Sequence, residues 1–122
     1  MAHDQILQEF VFLLLFMAHK VNCILLVDDN SIQNYLNIRL LNSLNIAQQI
    51  RVCLNGREAL EFISDFYKEN QKAPDLILLD LYMPEINGID FLKAFNALPN
   101  VKKGSTKIIF FPLPQKLLIL IV

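Results

Sequence analysis

The segment from Asn22 to Asp29, NCILLVDD, decides how the rest of the chain is interpreted. It is a short, almost wholly apolar run that ends abruptly in two carboxylates. An apolar run of this length, bounded by polar residues, is typical of a β-strand that is buried on both faces. The segment from Asp75 to Asp80, DLILLD, has the same character and also ends in a carboxylate. Two such strands predict a sheet that is covered on both sides.

Two further strands are predicted, from Gln49 to Leu54 (QIRVCL) and from Thr106 to Phe111 (TKIIFF). The dipeptide Ala73-Pro74 interrupts the chain just before the strand that ends at Asp80, since proline does not continue a helix. Each predicted strand is therefore separated from the next by a longer segment of different pattern.

Three helices are predicted between the strands. Ser31 is a candidate N-cap for a helix that runs to about Leu44, and Asn55 with Glu58 has the spacing of a capping box for the second helix. The third follows the loop from Met83 to Gly88. The apolar residues that recur at helical spacing are Ile32, Tyr35, Leu36, Leu40 and Leu44, then Ala59, Phe62, Ile63 and Phe66, then Phe91, Leu92, Phe95 and Leu98.

The order of elements is therefore β-α-β-α-β-α-β with short connections. Strands that alternate with helices pair in parallel and are joined by right-handed crossovers. We expect a three-layer α/β fold whose parallel sheet has the flavodoxin-like order 2-1-3-4.

The composition limits the classes of function. The chain has 122 residues, enough for one domain with a self-sufficient core, and 54% of them are hydrophobic. Eleven basic and 12 acidic residues give a net charge of −1, so direct nucleic-acid binding is not expected. Cys23 and Cys53 both lie in apolar runs, which indicates buried thiols and a reducing, cytoplasmic location.

The two ends differ from the middle. Residues 1–20 form an apolar extension whose longest run, from Phe10 to Ala18, is too short to span a bilayer. No Lys or Arg precedes that run and no small-residue cleavage site follows it, so a signal peptide is not expected. Residues 21–111 are the predicted domain core, and residues 112–122 are an atypical apolar tail.

Asp28, Asp29 and Asp80 are the candidate site residues. In open parallel sheets, ligands bind beyond the carboxyl ends of the strands, where the strand order reverses. With the first and third strands adjacent, the three carboxylates converge there. Two carboxylates about 4 Å apart repel by roughly 4 kcal/mol at an effective dielectric of 20, so three cannot stay ionised together without a cation or a raised pKa. An all-oxygen ligand set favours Mg²⁺.

Three motifs carry a resemblance to a known family. They are Val27-Asp-Asp-Asn30, Asn55-Gly-Arg-Glu-Ala-Leu60 and Leu79-Asp-Leu-Tyr-Met-Pro-Glu-Ile-Asn-Gly-Ile89. Across residues 21–111 the chain resembles the receiver domain of bacterial two-component response regulators, which are CheY-like.

The resemblance implies that Asp80 accepts a phosphoryl group from a phosphohistidine on a sensor histidine kinase or a phosphotransfer protein. It implies that Asp29 and Asp80 bind Mg²⁺ directly, with the backbone carbonyl of Tyr82 as a third ligand. Asp28 would act mainly through a water molecule. Such a domain catalyses at most its own phosphorylation and dephosphorylation and is not otherwise an enzyme.

The chain departs from the family after its fourth strand. The family's Ser or Thr at the end of that strand is replaced by Pro112, and no equivalent of its phosphoryl-binding Lys is found. A fourth helix, fifth strand and fifth helix are missing, so the domain is expected to be truncated. Strand 107–111 is then an open edge, and we expect self-association through this edge and the tail.

Two other interpretations remain open. The domain is a degenerate receiver that is never phosphorylated and acts as a binding or dimerisation module, or it is a Mg²⁺-dependent phosphohydrolase. Phosphohydrolases with an aspartate nucleophile usually carry a second acid two residues later. Tyr82 occupies that position after Asp80, and Asn30 occupies it after Asp28.

Overall fold

The computed structural model describes residues 20–80, 83 and 85–111, with the backbone only at Phe111. Its elements in chain order are β1 Val21–Val27, α1 Ser31–Leu44, β2 Ala47–Cys53, α2 Gly56–Asn70, β3 Leu76–Asp80, α3 Gly88–Ala97 and β4 Lys107–Phe111. The expectations for residues 1–19 and for the tail 112–122 lie outside the described residues.

The four described strands form one parallel sheet in the order β2-β1-β3-β4, as predicted. Its two faces are covered by different helices. One buried cluster joins the sheet to α2 and α3 through Ile63, Phe91 and Phe95, and the other joins it to α1 through Leu41. The molecule is the expected three-layer α/β fold.

The register of the central strands brings their carboxyl ends level. Val27 at the end of β1 is paired with Cys53 on one side and with Leu79 on the other. Residues 23–27 of β1 are all at most 1% exposed, so the strand is buried on both faces as its apolar run predicted. The residues that come directly after these strands therefore lie at the same edge of the sheet.

Asparagine caps all three described helices. The side chains of Asn30, Asn55 and Asn87 accept hydrogen bonds from the backbone N–H groups of Gln33, Glu58 and Asp90, at 3.0, 2.9 and 2.9 Å. The expectation that Ser31 caps the first helix is wrong, because Asn30 keeps the extended backbone of an N-cap and Ser31 is already helical. The capping-box residue Glu58 accepts from the N–H of Leu54 at 2.9 Å.

The inward face of α1 also differs from the prediction. Ile32, Tyr35 and Leu36 are exposed, with 71%, 59% and 52% of their surfaces accessible. The buried positions are Asn34, Asn37, Leu40 and Leu41. The predicted buried face was therefore wrong for the first half of α1. The side-chain amide of Asn34 lies inside instead, where it donates to the backbone carbonyl of Asp28.

Asp75 joins three strands at the amino edge of the sheet. Its Oδ2 accepts hydrogen bonds from the backbone N–H groups of Asn22 and Cys23, at 2.8 and 3.0 Å. Its backbone N–H donates to the carbonyl of Cys23, and its own carbonyl accepts from Lys107. Asp75 thus lies just before β3 and ties this strand to β1 and β4.

Among the described residues, no helix is both long enough and apolar enough to cross a bilayer. Within the same residues, β4 pairs with β3 along one side only. Phe110 on that strand is 38% exposed.

Candidate metal centre

Three carboxylates meet at the carboxyl edge of the sheet. Asp28 and Asp29 follow β1 directly, and Asp80 is the last residue of β3. One carboxylate oxygen from each side chain lies within 4.8 Å of the other two. Because Val27 is paired with Leu79, Asp28 is held level with Asp80. The structure brings together the three acids that the sequence singled out.

The three acids differ in exposure. Asp28 is 8% exposed, Asp80 is half-buried and Asp29 is exposed. Burial raises the pKa of Asp28 above its ordinary value, although the N–H of Asn30 opposes this by donating to Oδ1 at 2.9 Å. The neighbouring charges of Asp80 and Asp29 raise this pKa further, since each disfavours a second negative charge. The ionised cluster is therefore under electrostatic strain.

Asn34 is a supporting residue that the sequence pattern did not reveal. It is 5% exposed, and its Nδ2 donates to the backbone carbonyl of Asp28 at 2.9 Å. Its Oδ1 is buried and has no hydrogen-bond partner in the described part of the chain. Asn34 and Asn37 are three residues apart on α1, which places both on one face, and this spacing was the available signal.

The cluster has the chemistry of a site for a hard divalent cation. All three donors are carboxylate oxygens, which suit Mg²⁺ or Ca²⁺ and do not suit a softer metal. Burial is the main cause of the raised pKa of Asp28, and a cation placed among the acids would offset the further contribution of the Asp80 and Asp29 charges. These residues therefore fit a bound Mg²⁺.

Two further positions bear on the predicted site. Tyr82, whose backbone carbonyl is the expected third ligand, lies outside the described residues. Pro112, which stands where the family has Ser or Thr, lies outside them as well.

The family model for the response regulator receiver domain matches residues 24–115, about three quarters of the chain. The chain therefore belongs to the receiver domain family. It is similar to a protein-glutamate methylesterase/protein-glutamine glutaminase of Treponema denticola, at 38% identity over 88 residues. That match covers 70% of this chain and 20% of the relative.

Solved structures agree on the fold. A two-component response regulator from Cytophaga hutchinsonii has a TM-score of 0.64 at 21% identity, covering 84% of this chain and 95% of that one. The receiver domain of the histidine kinase CKI1 from Arabidopsis thaliana, complexed with Mg²⁺ and BeF₃⁻, has a TM-score of 0.64 at 23% identity. It covers 79% of this chain and 71% of that one.

The chain spans only 10% to 36% of the length of the curated relatives that it matches. What it shares with them is the receiver domain of two-component phosphorelay signalling.

Proposed function

We propose that Asp80 is the residue of this receiver domain that accepts the phosphoryl group. The convergence of Asp80 with Asp28 and Asp29 carries the proposal, since their oxygens lie within 4.8 Å of one another. Asp80 ends a buried strand, so its backbone is fixed while its side chain is half-exposed. A nucleophile needs this combination of rigid position and access.

Asp80 supplies the nucleophile of the transfer, and the protein contributes little other covalent chemistry. A carboxylate oxygen of Asp80 attacks the phosphorus of a phosphohistidine, a new O–P bond forms and the N–P bond breaks. The electron pair of the broken bond stays on the imidazole, which takes up a proton, and Asp80 becomes an acyl phosphate. Phosphoryl transfer depends mainly on positioning and on neutralising charge, and the cluster of acids supports both when a cation is bound.

Mg²⁺ is the cation that we propose for this site. Asp29 and Asp80 would hold it directly, the backbone carbonyl of Tyr82 would be a third ligand, and Asp28 would act mainly through water. When bound, the ion supplies positive charge beside the incoming phosphoryl oxygens. The all-oxygen donor set and the closeness of the three carboxylates support this assignment.

The phosphoryl donor that we propose is a protein carrying a phosphohistidine, either a sensor histidine kinase or a phosphotransfer protein. The exposed apolar side chains of Ile32, Tyr35 and Leu36 support a protein donor, because α1 begins two residues after Asp29. Tyr35→Ala should slow transfer from such a protein and leave labelling by acetyl phosphate unchanged. An equal loss with both donors would contradict this role of α1.

Intact-mass measurement after incubation with acetyl phosphate and Mg²⁺ tests the acceptor. The unmodified sequence should gain one phosphoryl group, and Asp80→Asn should gain none. Asp75→Asn is the matched control, because it removes a carboxylate at the other end of β3. A mass gain that survives in Asp80→Asn would sink the assignment. No gain in the unmodified sequence would favour the degenerate receiver instead.

We also propose that the chain self-associates through the free side of β4. The exposed Phe110 supports this, and so does the lack of a strand beyond β4 among the described residues. Light scattering should show association that Phe110→Lys reduces. Val52→Lys, on the opposite edge strand β2, should not reduce it. A monodisperse monomer would refute the proposal.

We also propose that the protein is located in the cytoplasm. Cys23 and Cys53 are both buried and free, which is the usual state of thiols in a reducing compartment. Fractionation of the cells that make the protein would test this, and recovery from an oxidising compartment would contradict it.

A further inference from the structure

The peptide group that joins Asp28 to Asp29 lies just beyond the end of β1. This strand ends at Val27, and the N–H of Asp28 still donates to the carbonyl of Cys53 at 3.1 Å. The carbonyl of Asp28 is bonded outside the sheet, because it accepts from Nδ2 of Asn34 at 2.9 Å. This carbonyl and the N–H of Asp29 belong to one planar peptide group. The hydrogen bond from Asn34 therefore fixes the plane that carries the Cα atoms of both acids.

Asn34 holds the chain on both sides of Asp29. Its side chain donates to the carbonyl of Asp28, and its backbone N–H donates to the carbonyl of Asn30 at 3.0 Å. The N–H of Asn30 in turn donates to Oδ1 of Asp28 at 2.9 Å. Asp29 is exposed and lies between these two anchors, so one residue of α1 restrains the segment that presents it.

The packing of α1 fixes Asn34 itself. Asn34 is 5% exposed and shares the inward face of α1 with Leu41, which belongs to the buried cluster on that side of the sheet. A buried amide costs stability when it is not fully paired, and Oδ1 of Asn34 has no hydrogen-bond partner among the described residues. A leucine would leave no such oxygen and would favour the helix more. The amide is therefore explained by what its Nδ2 holds rather than by the stability of α1.

We propose that Asn34 is a positioning residue for the acid cluster. By holding the peptide group between Asp28 and Asp29, it sets how these two carboxylates face Asp80. The inference rests on the proposed function, and it gives a role to a buried residue that binds neither the cation nor the phosphoryl group. Mg²⁺ demands a near-ideal arrangement of its ligands, so a rotation of this peptide group should weaken its binding.

Asn34→Leu in the full chain tests the inference, with the Mg²⁺ affinity measured from amide chemical shifts during a titration. The substitution keeps a similar volume and removes the donor, so the affinity should fall on the order of tenfold, as it does when support for a metal ligand is lost. Asn37→Leu is the matched control and should leave the affinity unchanged. Asn37 is 3% exposed on the same face of α1, and its Oδ1 accepts from the side chain of Gln33 at 3.1 Å.

A second measurement separates positioning from a general loss of stability. The residual dipolar coupling of the N–H of Asp29 reports the orientation of the peptide group that Asn34 holds, and it is measured without metal. Relative to the couplings of β1, it should change in Asn34→Leu and stay the same in Asn37→Leu. A folded variant that is merely less stable would keep the coupling of the unmodified chain.

Asn34→Ala keeps the inference open to test if leucine does not fit at position 34. Alanine also removes the donor, and it is the residue that favours a helix most. Asn34→Ala should therefore lower the Mg²⁺ affinity and change the coupling of Asp29 as Asn34→Leu does. Asn37→Ala, the control at the neighbouring buried position, should do neither.

The inference would be overturned by unchanged Mg²⁺ affinity in the variants at position 34, by an equal loss in the variants at position 37, or by an unchanged coupling of Asp29. If the unmodified chain bound no Mg²⁺, the proposed metal site would fail instead. The coupling of Asp29, measured without metal, would then still decide whether Asn34 orients the two acids.

Discussion

At the amino ends of β1 and β3, the carboxylate of Asp75 faces backbone N–H groups, whereas at the carboxyl ends three carboxylates face one another. Asp75 accepts from Asn22 and Cys23 and forms an ion pair with Lys72 at 3.5 Å. The pKa of Asp28 is raised first by burial and then by the charges of two neighbouring acids. The same pair of strands therefore carries one arrangement that stabilises the fold and one that costs stability.

The difference distinguishes the end of the sheet that stabilises the fold from the end that we propose to be functional. A carboxylate that accepts two backbone hydrogen bonds leaves no donor unsatisfied, and it gains nothing from a ligand. A cluster of acids gains from a cation, because the cation relieves its repulsion. The repulsion among the acids lowers the stability of the metal-free fold, and binding of a cation would offset this loss.

The largest effect that we expect is stabilisation by Mg²⁺. At about 100 times its dissociation constant, the ion should add about 2.7 kcal/mol to the free energy of unfolding. Thermal melts with and without Mg²⁺ measure this. Asp80→Asn should lose most of the gain, and Asp75→Asn should keep it. If the melting temperature were the same without Mg²⁺ and at a Mg²⁺ concentration on the order of tens of millimolar, the result would count against the site.

Asp75→Ala should destabilise the protein by roughly 2 kcal/mol, because the N–H groups of Asn22 and Cys23 then lose their acceptor. Urea unfolding followed by circular dichroism measures the change. Asp75→Asn is the control, since its amide oxygen still accepts a hydrogen bond and should recover part of the loss. An unchanged unfolding midpoint in Asp75→Ala would show that the amino edge of the sheet does not depend on the hydrogen bonds to the Asp75 carboxylate.

Asp28→Asn should stabilise the metal-free protein by about 1 kcal/mol near neutral pH. It removes the charge of a carboxylate that is 8% exposed and surrounded by like charges. The gain is well below the roughly 4 kcal/mol of two charges about 4 Å apart at an effective dielectric of 20, because Asp29 is exposed to solvent. Denaturant unfolding in chelator tests it, with the exposed Asp65→Asn as control. Destabilisation would mean that the cluster is not strained.

The smallest effect concerns the two thiols, one at each end of the sheet. Burial raises the pKa of Cys23 and of Cys53 from 9.0 to about 11. Since the folded state keeps these protons longer, their contribution is complete below pH 9 and is lost as the pH rises to about 11.

Each thiol should therefore cost roughly half a kcal/mol of stability at pH 9. Unfolding curves between pH 8 and about pH 9.5 measure this slope. Cys53→Ala should make the slope shallower, whatever it does to absolute stability. The same slope in both proteins would contradict the assignment to thiols.

The strands and the acids could be predicted from the sequence because both depend on local pattern. Asp80 follows a run that is apolar at every position, and only a strand buried on both faces needs such a run. The strand order then brings the carboxyl ends together, whatever the details of the side chains. Asp28, Asp29 and Asp80 could therefore be located without a structure.

The remaining features depend on contacts between distant parts of the chain. Asn34 looks like a surface residue until the carbonyl of Asp28 is seen to need its amide. The sequence predicted Asp75 only as the first residue of a strand. Its role as an acceptor could not be predicted, because it requires Asn22, 53 positions away, to lie beside it. The close approach of Ile86 to Gly56 likewise joins the loop before α3 to the first residue of α2, and no local pattern connects the two.

The asparagine caps also govern how the protein ages chemically. Asn55 and Asn87 are each followed by glycine, and asparagine is among the residues that heat damages first. Damage begins when the next backbone nitrogen attacks the side-chain carbonyl and ammonia leaves, and a following glycine hinders that attack least. The attack closes a cyclic imide. Hydrolysis of this imide gives either aspartate, which still caps a helix, or isoaspartate, whose longer backbone does not.

At position 55 this weakness cannot be removed by changing the neighbour, because Ile86 leaves no room for a side chain on Gly56. On long storage we therefore expect isoaspartate to accumulate at Asn55, the N-cap of α2.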